Sequence, residues 1–410
     1  MNKEVFKKHR KAILNQMEDN TVLMVVSRQM GGTTVEDKCN VNRNYYYVSG
    51  VIEFQNIVLL YKNKEQEKEM IFINPYDEYR AKWFGAPKPK EEVLELSGIE
   101  DIRYLSTFES VLASYLNECK GIYLDIDRQG LDEDDNASVS YSKKIASKYP
   151  FVQILDAQKL FRNARMVKEE EEIEEMKKAI SITRKGIEAI LSNIGEMYEY
   201  QLESYFDQAI KYHGATGYAF TTIAASGVNG TCLHYSKNDS LAKNGDLILF
   251  DLGASCNMYC ADISRTFPIS GKFSERQKLF YNIVLGAQKK VLATARPGLT
   301  TRDLNNVVIE HYAEELKKIG LIKDASEVSK YYYHGVSHHI GLEVHDLSVI
   351  EPLKAGEIIS NEPGLYIKEE GIGIRIEDDI LITENGAICL SQEILKEVDD
   401  IEKFIEEHRK

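Results

Sequence analysis

The sequence predicts an α/β (α+β) protein of two domains, the second built from two related halves. Three observations carry this. The chain is 410 residues long, more than a single hydrophobic core usually serves. Residues 21 to 160 alternate short apolar runs with charged or helical stretches, and from Val167 the texture changes to a long amphipathic pattern. Finally, KNGDLILFDLG at 243 to 253 is echoed by KAGEIISNEPG at 354 to 364, an offset of 111 residues.

In the first domain, residues 1 to 160, the runs TVLMVV, NIVLLY, EMIFI, GIYLDI and VQILDA read as strands interleaved with helices. The second domain, residues 161 to 410, opens with KEEEEIEEMKKAISITRKGIEAIL, where Ile173, Met176, Ile180, Ile187, Ile190 and Leu191 recur at helical spacing. Its acidic first turns suit the positive end of the helix dipole, and the EEEE run is expected to be a solvated face. The longest uncharged span, Tyr212 to Ser236, contains Gly214, Gly217, Gly227 and Gly230 and predicts a flexible polar loop, not a membrane helix.

Within the echo, acids match at Asp246/Glu357 and Asp251/Glu362. Asp262 follows Asp251 by 11 residues and Glu377 follows Glu362 by 15. Each half therefore reads as two strands with one inward carboxylate apiece, DLILFD with MYCADISRTF and EIISNE with GIGIRIEDDILIT. Two half-domains facing each other would bring four carboxylates together.

Composition narrows the function classes. Acids outnumber bases by 65 to 51, a formal charge of −14, so the field repels nucleic-acid phosphates and anionic lipid surfaces. The N-terminal MNKEVFKKHRKAILNQ offers no apolar stretch suited to a signal peptide, which points to the cytoplasm. The six cysteines, Cys39, Cys119, Cys232, Cys256, Cys260 and Cys389, show no CxxC pair and read as reduced thiols. GxxxxGK[ST], GxGxxG and HExxH are absent, and GVSHHIG around Ser337 lacks the second glycine of a nucleophile elbow.

Buried acids in strands are costly unless cations compensate them. Two divalent ions would balance Asp251, Asp262, Glu362 and Glu377, with a neutral histidine as a fifth ligand; oxygen-rich ligation with one imidazole suits manganese, cobalt, iron or zinc. Four of the nine histidines, His334, His338, His339 and His345, cluster in YYYHGVSHHIGLEVHD, and His234 lies in GTCLHYS beside the glycine-rich loop. His339 and His311, with His9, His213 and His408, are assigned to packing or surface roles. Trp83, the only tryptophan, is assigned to packing, ahead of a place near a substrate cleft or a subunit contact.

In family order, LHY at 233, FDLGA at 250, ADISRTF at 261, HGVSHHIGLEVHD at 334, NEPGLYI at 361 and GIRIEDDILIT at 373 resemble the pita-bread metallopeptidases, and within them the Xaa-Pro aminopeptidases (aminopeptidase P). NRNYYYVSGV at 42 and DEYRAKWFGAPKP at 77 resemble the N-terminal domain of that family more loosely. The resemblance implies a C-terminal pseudo-twofold pita-bread domain and a smaller creatinase-like α/β domain before it. It implies two divalent ions, manganese first. Asp251 would chelate one, Asp262 and Glu377 would bridge both, and His338 and Glu362 would hold the other. A metal-bridging hydroxide would attack the carbonyl of the first residue, with Glu362 the proton acceptor and His345 bonding the scissile carbonyl oxygen. His234 and His334 would line the proline side, and Arg375 would bond a ligand carboxylate. The implied partners are peptides with proline in second place and further copies of the chain, as a homodimer or higher homo-oligomer.

An Xaa-Pro dipeptidase (prolidase) would share all five ligands and is the alternative; NYYYVSGV and the serine of HGVSH favour the aminopeptidase. A non-peptidase pita-bread hydrolase or binding protein predicts missing ligands, and all five are present. Phe220 departs from the family pattern, removing a phenolic contact that some members have.

Overall fold

A computed structural model describes residues 1–28, 41–126 and 135–409. Cys39 lies outside them. The chain divides into two compact units, Met1–Arg165 and Met166–Lys410.

The first unit is a six-stranded sheet of β1 (Thr21–Val26), β2 (Ile57–Lys62), β3 (Glu67–Ile73), β4 (Asp101–Tyr104), β5 (Gly121–Leu124) and β6 (Gln153–Asp156), in the order β4-β3-β2-β1-β5-β6. The β1–β2 and β2–β3 pairs are antiparallel, whereas β3–β4, β1–β5 and β5–β6 are parallel. Val22, Met24, Leu59, Phe72 and Ile122 on one face pack with Phe108, Leu112 and Leu116 of the helix Phe108–Leu116. The apolar runs account for five strands. The sixth, β4, is an edge strand of sequence DIRY with no buried residue, so no apolar run marks it. Trp83 does not pack as expected: it is 65% exposed, on a helix, Glu78–Phe84, that buries none of its residues.

The second unit contains β7 (Met197–Tyr198), β8 (Gly217–Tyr218), β9 (Ile223–Ser226), β10 (Leu241–Ala242), β11 (Leu247–Leu252), β12 (Ala254–Cys256), β13 (Tyr259–Cys260), β14 (Ile263–Pro268), β15 (Ile358–Asn361), β16 (Gly364–Ile367), β17 (Ile372–Arg375), β18 (Asp378–Thr383) and β19 (Gly386–Cys389). Its main sheets run β14-β11-β9 and β15-β18-β19, with a β16–β17 pair beside them. Side chains of the helices Glu170–Leu191, Glu199–Tyr212, Glu275–Thr294 and Thr301–Lys318, among them Ile187, Phe206, Val284 and Val308, share one core with Phe250, Ile263, Ile374 and Ile380 of the strands. The echo is visible in the strands. β11 begins at Leu247 and β15 at Ile358, 111 residues apart, while β14 begins at Ile263 and β18 at Asp378, 115 apart.

Three expectations are corrected. MYCADISRTF and GIGIRIEDDILIT each break into two strands, β13 and β14, and β17 and β18, leaving Asp262 and Glu377 at the breaks instead of inside strands. The reason is that their N–H groups cross-link the halves: Asp262 N donates to Asp379 Oδ2 (3.3 Å) and Glu377 N to Ser264 O (3.0 Å). The uncharged span is not merely loop, because Ile223–Ser226 forms β9 and pairs with β11, Ile223 opposite Asp251; its small Ala224 and Ala225 are buried there. Nor is the acidic run wholly solvated. Glu172 and Glu175 are buried on the face of the first helix that packs against β12 and β13, where Tyr259 Oη donates to Glu172 (2.8 Å) and Asn257 Nδ2 to Glu175 (3.0 Å). Ile173 is left half-buried.

Behind the breaks lies a buried ion pair. Arg265 Nη2 donates to Asp378 Oδ1 (2.7 Å), both side chains having no exposed surface, and Ser391, Gln288 and Lys396 also donate to Asp378. Burial alone would raise the Asp378 pKa, but the charges of Arg265 and Lys396 hold it down at about 2. Arg265 also donates to the main-chain oxygens of Ser264 and Glu377, so it ties the two halves at the residues flanking both breaks. Arg265→Met is expected to lower the unfolding free energy by about 3 kcal/mol in urea denaturation, at the low end for an unpaired buried charge because Lys396 remains; a loss under about 1 kcal/mol would mean that Lys396 satisfies Asp378 alone.

Candidate metal centre

Asp251 sits near the end of β11 and opposite Ser264 of β14. The intervening turn is narrow: a Cβ on Gly253 would lie 1.9 Å from Ala261 O, so only glycine lets the chain return closely enough to bring Asp262 beside Asp251. In the second half, Glu362 follows β15 and Glu377 precedes β18. His338 joins them from the preceding loop, its N–H donating to Ser360 Oγ (2.9 Å) of β15.

The tightest group is Asp262, His338 and Glu377, whose candidate ligand atoms all lie within 4.8 Å of one another. His338 Nε2 lies 3.3 Å from Asp262 Oδ2 and 3.5 Å from Glu362 Oε1. Its Nδ1 faces the His339 carbonyl at 3.2 Å and must carry a proton there, which leaves Nε2 as the atom presented to the carboxylates. Asp251 is not part of this triplet. Arg375 Nη2 holds its Oδ2 at 2.7 Å, and Ser264 Oγ reaches both Asp251 Oδ1 (3.1 Å) and Glu377 Oε2 (2.7 Å). Of the five expected ligands, three therefore form a compact set, Glu362 adjoins it through His338, and Asp251 adjoins it through Ser264.

The electrostatics fit a cation site. Burial and the charges of Asp262, Glu362 and Asp251 push the Glu377 carboxyl well above its usual range. Burial and Asp251 raise Asp262, and burial with Asp262 and Asp251 lifts Glu362 to about 7 against the pull of His338 and Arg375. Burial opposes charge on His338, but the hydrogen bond and charge of Asp262 and the charge of Glu362 carry it up to about 9. Without metal, then, these groups take up protons, the response of an anionic cluster lacking its counter-charge. Carboxylate oxygens with a single imidazole are a donor set that divalent ions suit.

The other expected residues surround this cluster. His334 Nδ1 faces Gly335 O (2.8 Å) and so carries its proton, while Nε2 accepts from Tyr366 Oη (2.9 Å), itself bonded by Arg375 Nη1 (3.2 Å). Burial, with Arg375 and His234 nearby, lowers its pKa to about 4, which keeps the ring neutral. His345 stands with its ring centroid 4.1 Å from that of His338, and burial and the charges of His338 and His234 lower its pKa. His234 is exposed and close enough to influence both His334 and His345. His339 and His311 pack as expected, bonded to Glu357 (3.2 Å) and Ile283 O (3.0 Å).

The comparisons with known proteins agree with this architecture. A family model described as Metallopeptidase family M24 matches residues 174–384, and one described as Aminopeptidase P, N-terminal domain, matches residues 6–123. The Xaa-Pro aminopeptidase of Haemophilus influenzae is 31% identical over 98% of this chain and 97% of its own. The chain belongs to the aminopeptidase P branch of metallopeptidase family M24. It is accordingly a metallo-exopeptidase, with the pita-bread fold in its C-terminal unit. A Bacillus anthracis structure provisionally described as an aminopeptidase P has a TM-score of 0.96 at 40% identity, covering 100% of this chain and 99% of that one. Zn-substituted aminopeptidase P of Escherichia coli, in complex with product, has a TM-score of 0.91 at 28% identity, with coverage of 100% and 99%. Intermediate cleaving peptidase 55 of Saccharomyces cerevisiae is a further relative, 30% identical over 88% of this chain and 75% of its own.

Sequence reasoning passed over Ser264, Ser360 and Tyr366. Each lies inside or beside a quoted motif, ADISRTF or NEPGLYI, yet hydroxyls carry no spacing signal of their own.

Divalent metal entering this cluster must displace protons. With Glu362 at about 7 and His338 at about 9, proton release on titrating manganese into the metal-free protein is expected to be substantial at pH 6.5 and to fall towards pH 9.5, with affinity rising over that range. Isothermal titration in buffers of different ionisation enthalpy measures this; pH-independent proton release would contradict the assignment of these ligands.

Proposed function

We propose that this metallo-exopeptidase removes the N-terminal residue from peptides with proline in second place, using two divalent ions, manganese first, held by Asp251, Asp262, His338, Glu362 and Glu377. The observation that carries the reading is the convergence of Asp262, His338 and Glu377, with Glu362 and Asp251 adjoining them, in a chain that aligns along nearly its whole length with Xaa-Pro aminopeptidases.

Divalent ions at these ligands supply Lewis acidity, polarising the scissile carbonyl and making water acidic near neutral pH. Glu362, beside His338, takes the proton of the attacking water and delivers it to the departing proline nitrogen. That nitrogen belongs to a tertiary amide without an N–H, so recognition must rest on ring shape and on the carbonyl instead of on an amide donor. His345 bonds the carbonyl oxygen as charge develops there. His334, held neutral between Gly335 and Tyr366, and His234 orient the proline side. Arg375 is a positioning residue, fixing Asp251, Ser264 and Tyr366 through three separate guanidinium nitrogens. The cytoplasm is the proposed location, consistent with the absence, among the described residues, of any helix long and apolar enough to cross a membrane. Assembly as a homodimer or higher homo-oligomer is proposed from the family resemblance.

Glu362→Gln and Asp262→Asn are each expected to reduce kcat by about 100-fold or more with melting behaviour largely unchanged; activity within a few-fold of the parent in either would refute the roles given. The substrate reading is tested by comparing an Xaa-Pro dipeptide, an Xaa-Pro-Xaa tripeptide and an Xaa-Ala-Xaa tripeptide in manganese. The Xaa-Pro tripeptide is expected to be turned over fastest. Turnover confined to the dipeptide would make the protein a prolidase, and equal turnover of the alanine peptide would remove the proline requirement.

A further inference from the structure

Outside the metal cluster, a heavily bonded carboxylate of the second unit is Glu199, the first residue of the helix Glu199–Tyr212, with none of its surface exposed. Its Oε1 accepts from Ser226 N (2.7 Å), Ser226 Oγ (2.7 Å) and Asn229 Nδ2 (3.1 Å). Its Oε2 accepts from Tyr235 Oη (2.9 Å) and Ser240 N (2.9 Å), while its own N–H donates to Ser240 O (3.0 Å). Among the described residues no lysine, arginine or histidine forms an ion pair with it, so its partners are these neutral donors and the N-terminus of its own helix.

All five donors belong to one segment, Ser226 to Ser240, and that segment carries His234. Beyond Glu199, Ser226 pairs with Ile248 of β11, and the buried Asn238 donates to Glu203 Oε2 (2.9 Å) and Thr222 O (2.8 Å) while accepting from Ala224 N (3.1 Å); nearer His234, among the described residues, the anchors are two. Tyr333 Oη donates to Thr231 O (2.7 Å), and Gly230 is pressed against Gly373 of β17, where a Cβ on Gly373 would lie 1.9 Å from Gly230 O. His234 itself is exposed, and its immediate neighbour Tyr235 is the residue that Glu199 holds.

We propose that Glu199 is a positioning residue for substrate: one buried carboxylate gathers both ends of the loop and the residue next to His234, and thereby fixes where the His234 ring stands in the cleft. The carboxylate is required because both oxygens must accept. In a glutamine, whichever way the amide is turned, its NH2 would face a main-chain N–H that has no second acceptor, that of Ser226 or that of Ser240, whereas Asn229 Nδ2 and Tyr235 Oη also reach Ser240 Oγ (3.0 and 3.3 Å). The proposal rests on the reading of His234 as a substrate-orienting residue.

The test is a double-mutant cycle on the manganese-loaded full chain, with kcat/KM measured for an Xaa-Pro-Xaa tripeptide. Glu199→Gln is expected to lower kcat/KM by about 10- to 100-fold, the scale of a misplaced orienting group, with metal content unchanged. In a His234→Ala background the same substitution is expected to cost little more, because the group it positions is already gone. Tyr235→Phe, which removes a single hydroxyl, serves if Glu199→Gln does not fold; its expected loss of several-fold is likewise absent in the His234→Ala background. Full multiplication of the losses in the double variants, or unchanged kcat/KM in the single ones, overturns the proposal. If His234→Ala alone leaves kcat/KM unchanged, it is the reading of His234 that falls, an outcome distinct from failure of the cycle.

Discussion

Repulsion among Asp251, Asp262, Glu362 and Glu377 is the constraint around which the C-terminal unit is organised. Four carboxyls share a largely buried space in which, among the described residues, Arg375 is the guanidinium bonded to one of them and His338 the nearest imidazole. Burial and mutual charge raise the pKa values of Asp262, Glu362 and Glu377 together, so the unmetallated cluster is held by protons and hydrogen bonds. Ser264 bridges Asp251 to Glu377, and Ser360 accepts from His338 N–H while donating to Glu362 (3.3 Å). The first hydroxyl links acids from different segments and the second ties the His338 main chain to Glu362, both without adding charge, a role that a lysine could not fill without competing with the metal.

A second layer behind the cluster carries compensated charge. Asp378 and Glu377 are consecutive, yet burial raises one while Arg265 and Lys396 hold the other at about 2. Adjacent acids meet opposite environments here: Glu377, at the break, accepts from Ser264 Oγ beside Asp262 and His338, whereas Asp378, the first residue of β18, is bonded by Arg265 and Lys396. Because Arg265 also bonds the main-chain oxygens of Ser264 and Glu377, the same guanidinium that neutralises Asp378 holds the two breaks together.

Much of this was legible in the residues. The offset of 111 seen in KNGDLILFDLG and KAGEIISNEPG is the offset at which β11 and β15 begin, since strand starts follow the turn residues that precede them. What was not legible has common physical causes. The edge strand β4 has too few buried positions to leave an apolar run. Glu172 and Glu175 read as solvated because their donors, Tyr259 and Asn257, come from a hairpin more than 80 residues away in the chain. The Ile223–Ser226 strand was hidden among glycines and threonines, its pairing supplied by β11 and not by its own propensity.

The sequence by itself determined the chemistry available: four acids and a set of histidines at spacings that repeat, in motifs that mark an M24 metallopeptidase. Only the tertiary structure decided how those groups are used. Which imidazole nitrogen faces the carboxylates depends on the carbonyl opposite the other one, as His339 O is for His338 and Gly335 O for His334. Which acids meet directly depends on chain breaks closed by contacts over more than 100 residues, Asp262 N to Asp379 and Glu377 N to Ser264. Hydrogen-bond direction and charge compensation are properties of neighbours in space, and spacing along the chain carries only the residue types that take part.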